Sequence, residues 1–490
     1  MNTVMFTRNS RCNLLKNFPV ILFAVFFGIT SCGKDPVPET ITPPSAPDTL
    51  REFTSFTVKK ADGNILEPSE LEVLIGKDSI NITVPPLTDI KNLKVSFDFK
   101  GKSVTPQNNT VQDLSSPVTY TITAASGSSK QYVVEAHYPQ PKGIVYIGTG
   151  DKKFYALNAA TGAVRWSYTS NGSFAYSSPT YRDGVVYVGC IDNNVYAFNA
   201  MNGRLLWKYG FGTTGIESDA VIADSTVYVG CNDDYLVALN AVTGQPRWTY
   251  LTGANISSSP KIANGMVYFG SSDNSFYALN AKTGQLVWKY TTGAMINQSG
   301  ASLVNGVLYF GSRDGYLYAL NASDGSLKWK YSTPVSLEMS SPTVNNGIVY
   351  IGGWYSFPGF NIKGSVYAVN ASTGALVWES MQNTGFSSSP FVNNGRLFIT
   401  GDDGNISVLN AANGSVYWQK TIYANSASPV EANGIVYVGG GGTNNIYAFN
   451  AVTGNEIWRF PIPLANMASS PLVIDPNGVV DYPGDSGAMD

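Results

Sequence analysis

From about residue 143 onward, short apolar runs alternate with small polar turns at near-constant spacing. One unit can be read across residues 340–380 as "SSPTV", a turn "NNG", "IVYIGG", a connection, "SVYAVN", a turn "ASTG" and "ALVWES". Runs of this length, rich in Val, Ile and Tyr and bounded by Asn, Gly and Ser, predict four strands per unit, here termed A to D. The A–B turns are Asp183-Gly184, Asn264-Gly265, Asn305-Gly306, Asn346-Gly347, Asn394-Gly395 and Asn433-Gly434. Such pairs accept the positive φ angles of tight two-residue hairpins. Between residues 51 and 139 the alternation is different. "FTSFTVKK", "SINITVPP", "LKVSFDF", "VTYTITA" and "KQYVVEAHY" read as strands of a small β-sandwich.

The unit recurs with a period near 41 residues, marked by eight copies of N-A-x-x-G-x-x-x-W that end at Trp166, Trp207, Trp248, Trp288, Trp329, Trp378, Trp418 and Trp458. Four strands per period favour propeller blades over a helical solenoid. In each copy Gly lets the C–D turn bend, Ala keeps its surface low, and Trp can lie on the neighbouring blade's turn. The motif resembles the tryptophan-docking motif of quinoprotein-type (PQQ-like) eight-bladed propellers over residues 143 to about 474. The first unit lacks an A strand, and "SSPLVI" at 469–474 follows the last motif. The C-terminal strand is therefore expected to complete the first blade and remove an open edge. The tail after Asp475 carries no reading. The fold class is all-β: an eight-bladed propeller over 140–490 behind a sandwich over 51–139.

The N-terminal region reads differently. Arg8, Arg11 and Lys16 precede "FPVILFAVFFGI", an apolar run too short to span a bilayer comfortably. The run ends in "ITSC", which resembles a bacterial lipobox. That resemblance implies a signal peptide over 1–31, lipidation of Cys32 and attachment to the membrane through it. "GKD" after Cys32 resembles the export tag of surface lipoproteins of Bacteroidetes type. A Pro-rich tether covers 32–50. "VTYTITAASGSSKQYVVEA" resembles the last hairpin of the immunoglobulin-like domains near the N-terminus of such lipoproteins. The localisation implied is the outer membrane, exposed at the cell surface, with a periplasm-facing orientation as the alternative.

Composition narrows the chemistry. The net charge is −3, with 31 Lys plus Arg against 34 Asp plus Glu, which leaves no basic face for nucleic acid. Cys190 and Cys231 both follow "VYVG" in adjacent units, and equivalent places on neighbouring blades are too far apart for a disulfide. The single histidine, His137, lies in the sandwich, so the propeller has no Ser-His-Asp triad and no histidine metal ligand. Asp192, Asp233, Asp273, Asp314 and Asp403 fall in the B–C turns without calcium-loop spacing and read as turn residues. The quinoprotein resemblance implies a PQQ cofactor and calcium near the axis, but the adjacent cysteines and long loops of those enzymes have no counterpart. No cofactor and no metal are expected, with PQQ and calcium entering only under that alternative.

Antiparallel strand order places the D–A and B–C connections on one face and the regular A–B and C–D turns on the other. Variation gathers on the first face, where loops usually carry function. Tyr176, Glu217, Asn255, Asn297, Gln298, Glu338, Phe386 and Asn425 are its candidate binding residues. The sixth unit adds "GWYSFPGFNIKG", which brings Trp354, Tyr355 and Phe357 to the same face. Glu217 and Glu338 could also serve a carboxylate-dependent hydrolase, against the plainer reading of solvated loop glutamates. Rings beside amides suit a glycan or a protein partner equally. The expectation is a monomeric, non-enzymatic, lipid-anchored propeller that binds one of these at the envelope. The alternatives are a scaffold like the propeller lipoprotein of outer-membrane protein assembly, and a reduced quinoprotein or carboxylate hydrolase.

Overall fold

The computed structural model describes residues 50–354, 364–381, 384–424, 426–462 and 469–482. The first eight strands are β1 (Glu52–Lys60), β2 (Glu72–Ile75), β3 (Ser79–Thr83), β4 (Leu93–Lys100), β5 (Ser103–Thr105), β6 (Thr110–Gln112), β7 (Val118–Thr123) and β8 (Ser129–His137). They form two sheets, ordered β1-β4-β6 and β2-β3-β8-β7-β5. Buried and half-open positions alternate along β3 and through the first part of β4, so one side of each faces inward. Phe53, Phe56, Phe97, Ile82, Tyr120 and Val134 meet in the core between the sheets.

From Ile144 the chain forms seven four-stranded sheets and one five-stranded sheet. We number them in chain order: sheet 1 opens with Ile144–Gly148, and sheets 2 to 8 open with Thr180–Arg182, Val221–Ala223, Lys261–Ala263, Ser302–Val304, Thr343–Asn345, Phe391–Asn393 and Val430–Ala432. B and C strands such as Val185–Gly189 and Ser275–Asn280 are buried along almost their whole length. Their continuous apolar runs follow from burial on both faces, because each sheet stacks between two others. Each D strand is an edge, and Leu286–Thr291 buries only Trp288 along its length. The A–B turns hold both central residues at positive φ, as at Asn305 (50°) and Gly306 (74°). The seventh such turn, Asp224-Ser225, achieves this without glycine.

The repeated motif is a joint between sheets. Each indole N–H donates to the Ala carbonyl of the next sheet's N-A-x-x-G turn: Trp166 to Ala200 at 3.0 Å, Trp288 to Ala322 at 3.0 Å and Trp418 to Ala451 at 3.1 Å. The series returns to its start, since Trp458 donates to Ala159 at 2.9 Å. In six sheets the B-strand tyrosine reaches the same carbonyl, as Tyr268 does to Ala322 at 3.1 Å. This tyrosine had a signal of its own, since "VY" recurs in six of the eight B strands. Leu472–Ile474 pairs with Ile144–Gly148, so sheet 1 is built from both ends of the ring. The tail without a sequence reading supplies a fifth strand, Val480–Asp481, paired to that one.

The sandwich is fastened to the A–B/C–D side of sheet 2. Glu70 accepts hydrogen bonds from Asn199 Nδ2 (3.0 Å), Asn202 Nδ2 (3.2 Å) and Arg204 (3.3 and 3.0 Å). Pro86 lies over Gly184, Leu87 packs on the core between sheets 2 and 3, and Tyr181 donates to the Pro139 carbonyl.

Candidate functional site

Every A strand is entered through a short polar step, usually Ser-Ser-Pro, and its two serines have separate tasks. The first is buried and accepts the N–H that ends strand B: Gly189 to Ser177 at 2.9 Å, Gly270 to Ser258 at 2.9 Å, Gly352 to Ser340 at 3.0 Å. The second stands on the inner wall of the ring and links neighbouring sheets. Gly300 N–H donates to Ser341 Oγ (2.8 Å), Ser341 to Ser389 (2.9 Å), Ser389 to Ser428 (2.8 Å) and Ser428 to Ser470 (2.9 Å). In sheet 3 the step reads Ser-Asp-Ala, and Asp219 replaces the second serine. It accepts the Ser178 N–H on one oxygen and the Ser259 hydroxyl on the other, the latter at 2.7 Å. Asp219 is half-buried where sheets 2, 3 and 4 meet. Burial raises the affinity of its carboxyl for a proton, and the hydrogen bonds from Ser259 and Ser178 only partly offset this. Asp219 was missed in the sequence reading, yet the one acid among the Ser-Ser-Pro steps was a visible signal.

The B–C aspartates hold the outer part of the same face. Asp192 accepts from Tyr196 (2.6 Å) and Asp314 from Tyr318 (2.7 Å), each four residues ahead on strand C, and Asp273 is paired likewise with Tyr277. The same carboxylates also accept N–H groups from the preceding D–A loop, as Asp314 does from Gly293 at 2.7 Å. The D-x-x-x-Y spacing is therefore a structural clasp joining consecutive sheets.

Among the sequence candidates, Tyr176 is 40% exposed, while Glu217, Asn255, Asn297, Gln298 and Trp354 are half-buried. Tyr176, Glu217 and Gln298 directly precede the first serine of their A strands and so sit at the inner mouth. Trp354 lies farther out, its N–H on the Ser336 carbonyl at 2.8 Å and its ring beside Gly385. Two assignments change. Phe386 is 1% exposed and packs in the core with Ile399 and Trp378, because its place in the D–A loop is the apolar one that Ile256 and Ile296 fill elsewhere. Glu338 is buried as well, not a solvated loop glutamate: Oε1 is 3.7 Å from Arg313 Nε, and Oε2 has no hydrogen-bond partner. Cys32, Tyr355, Phe357 and Asn425 lie outside the described residues. Cys190 and Cys231 are free and buried.

A quinone cofactor with its cation would need several anionic or carbonyl oxygens converging near the axis. The girdle offers one carboxylate, and four of its serine oxygens already accept N–H groups. Among the described residues, no group of three or more acidic, His or Cys side chains could hold a metal. Among the described residues, the girdle does not supply that donor set. A groove of about 490 Å³ lies on the opposite face between sheets 5 and 6, lined by repeat turn residues such as Asn305, Asn346 and Ala371. These residues recur in other sheets, so the groove is less distinctive than the variable face.

Comparison with known proteins agrees with this architecture. BamB from Moraxella catarrhalis matches with a TM-score of 0.52 at 18% identity, covering 61% of this chain and 92% of that one. The quinohemoprotein alcohol dehydrogenase ADHIIG from Pseudomonas putida HK5 matches with 0.52 at 16%, covering 63% and 69%. The computationally designed Ika8 protein gives 0.51 at 15%, covering 64% and 96%. At such identities the likeness is one of fold, a β-propeller. No curated protein sequence matches the chain. Residues 53–136 match a family model described as "SGBP, N-terminal". The model described as "Outer membrane protein assembly factor BamB" matches residues 125–214, 192–357 and 362–474, most of the chain, and the protein belongs to that BamB-like family of propeller repeats.

Proposed function

We propose that this protein is a non-catalytic, lipid-anchored scaffold of the cell envelope, which holds a glycan or protein partner on its D–A/B–C face. In this reading the eight sheets are the blades of one closed propeller. The sandwich is an immunoglobulin-like spacer behind the lipidated Cys32, and the chain is displayed at the outer membrane. The observation that carries the proposal is the division of labour between the faces. The A–B/C–D side repeats one turn design and is fastened to the sandwich through Glu70. The opposite side carries the variable loops, with Tyr176, Glu217 and Gln298 at their inner ends, and the half-buried carboxylate of Asp219.

The family match favours a more specific second reading, in which the partner is a component of outer-membrane protein assembly. Full-length protein in its own envelope tests both. Capture from envelope extract, and a panel of glycans, should yield a partner whose binding falls for Trp354→Ala while the melting temperature stays near wild type. Anchors of this type contribute about 1–4 kcal/mol when truncated. Binding that ignores Trp354 and yields to substitutions in the Asn-Gly turns overturns the choice of face. Fatty-acid labelling that persists in Cys32→Ser overturns the anchor.

A further inference from the structure

We propose that the inner mouth of the D–A/B–C face takes a cationic side chain, a lysine or arginine presented by a protein partner, with Asp219 as its counter-charge. This rests on the proposal that the D–A/B–C face is the partner face and selects the protein over the glycan. The eight D–A connections contain three acids, Glu217, Asp219 and Glu338, and no Lys or Arg. Glu338 is turned to Arg313 in a B–C turn, so its charge is partly matched within the chain. Among the described residues, Asp219 has no such match. Its hydrogen bonds come from the Ser178 N–H, the Ser259 hydroxyl and the Ser178 side chain, all neutral.

A carboxylate held inside protein without a counter-charge is costly, because water no longer solvates it and the neighbouring dipoles only partly replace that solvation. An entering ammonium or guanidinium group would supply the missing charge. A carboxylate has about four acceptor positions, so the serine donors on Asp219 leave capacity for a further bond. Around the ring, Ser341, Ser389, Ser428 and Ser470 accept N–H groups in one direction and are neutral, so these four do not repel a cation. The approach is favourable too. The described B–C turns carry eight aspartates, among them Asp192, Asp233, Asp273, Asp314 and Asp403, against two cations, Lys152 and Arg313, so the rim is net negative and draws a cation inward. An anionic ligand would meet all of these charges. A neutral sugar would leave the buried charge unmatched.

Fluorescein-labelled hexalysine, measured by anisotropy at low ionic strength with the full chain, provides the probe. Asp219→Ser installs the residue that most other sheets carry, with an oxygen still able to accept the Ser178 N–H, so the fold should persist. Affinity for hexalysine should fall about tenfold or more in this variant, as when one partner of an enclosed charge pair is removed. Asp234→Asn removes a charge from the same face without touching the girdle and should change affinity by no more than about twofold. Equal losses in the two variants would mean general attraction to an acidic face and would sink the site. So would hexalysine binding that is indifferent to Asp219→Ser, or neutral oligosaccharides that bind and are lost with it. A captured partner that maps to the Asn-Gly turns, while hexalysine still depends on Asp219, would instead count against the partner face and leave the cation site standing.

Discussion

Each motif glycine sits where an indole needs room, and that contact separates two kinds of glycine with the same backbone. Gly325 has φ +71°, and a Cβ there would come within 2.6 Å of Trp288 Cε3. Gly306, in an A–B turn, has φ +74°, yet a Cβ would meet nothing within 4 Å. Left-handed strain on a non-glycine residue costs about 1 kcal/mol in either place. Gly325→Ala should therefore cost at least about twice as much as Gly306→Ala in chemical denaturation, since it also forces the ring off its seat. Equal losses would mean that the backbone angle alone selects glycine. The repeat was legible from sequence because the same contact is written eight times at one spacing. Phe386 was misread although its place was legible: it stands eight residues after Trp378, where Ile256, Ile296 and Leu337 stand eight after their own motif tryptophans. Glu338 stands one residue further on, where the residue type changes from loop to loop, so spacing alone does not show which way it turns.

Among the elements, the docking of the sandwich was the least legible. Its polar contacts converge on one glutamate in a short 3-10 turn, Pro68–Glu70, and nothing in a local pattern links that turn to a hairpin well over a hundred residues later. Alternation identified the strands of both regions, but pairing across regions is a property of the folded chain. Glu70→Ala would leave Asn199, which is 2% exposed, without its acceptor and should cost about 1–3 kcal/mol. We expect limited proteolysis to cut faster near residues 138–142, and the sandwich to unfold separately from the propeller in denaturant. Unchanged cleavage and a single unchanged transition would show that Pro86, Leu87 and Tyr181 hold the junction without Glu70. The effect of salt on the wild-type junction should be small, because the Glu70 side chain is only 11% exposed.

For the whole molecule, the decisive seam is sheet 1, where the two ends of the ring meet and the last strand, Val480–Asp481, lies along Leu472–Ile474. That strand places Asp481 close to Asp475 and Glu431. Burial first, then the charges of those two acids, pushes the Asp481 carboxyl from 3.8 up to about 6. The native protein thus holds this proton more tightly than the unfolded chain does. The contribution of Asp481 to stability is complete below about pH 4, declines as pH rises toward 6, and is absent above that. At neutral pH the seam therefore carries an unfavourable charge that Asp481→Asn would remove. The variant should melt higher than wild type near pH 7.5, and the difference should shrink towards zero near pH 4. A gain of equal size at both pH values would assign the effect to amide hydrogen bonding and not to charge. A loss at neutral pH would mean that the carboxylate supports the closing strand. The closure would then depend on a charge that the present geometry makes costly.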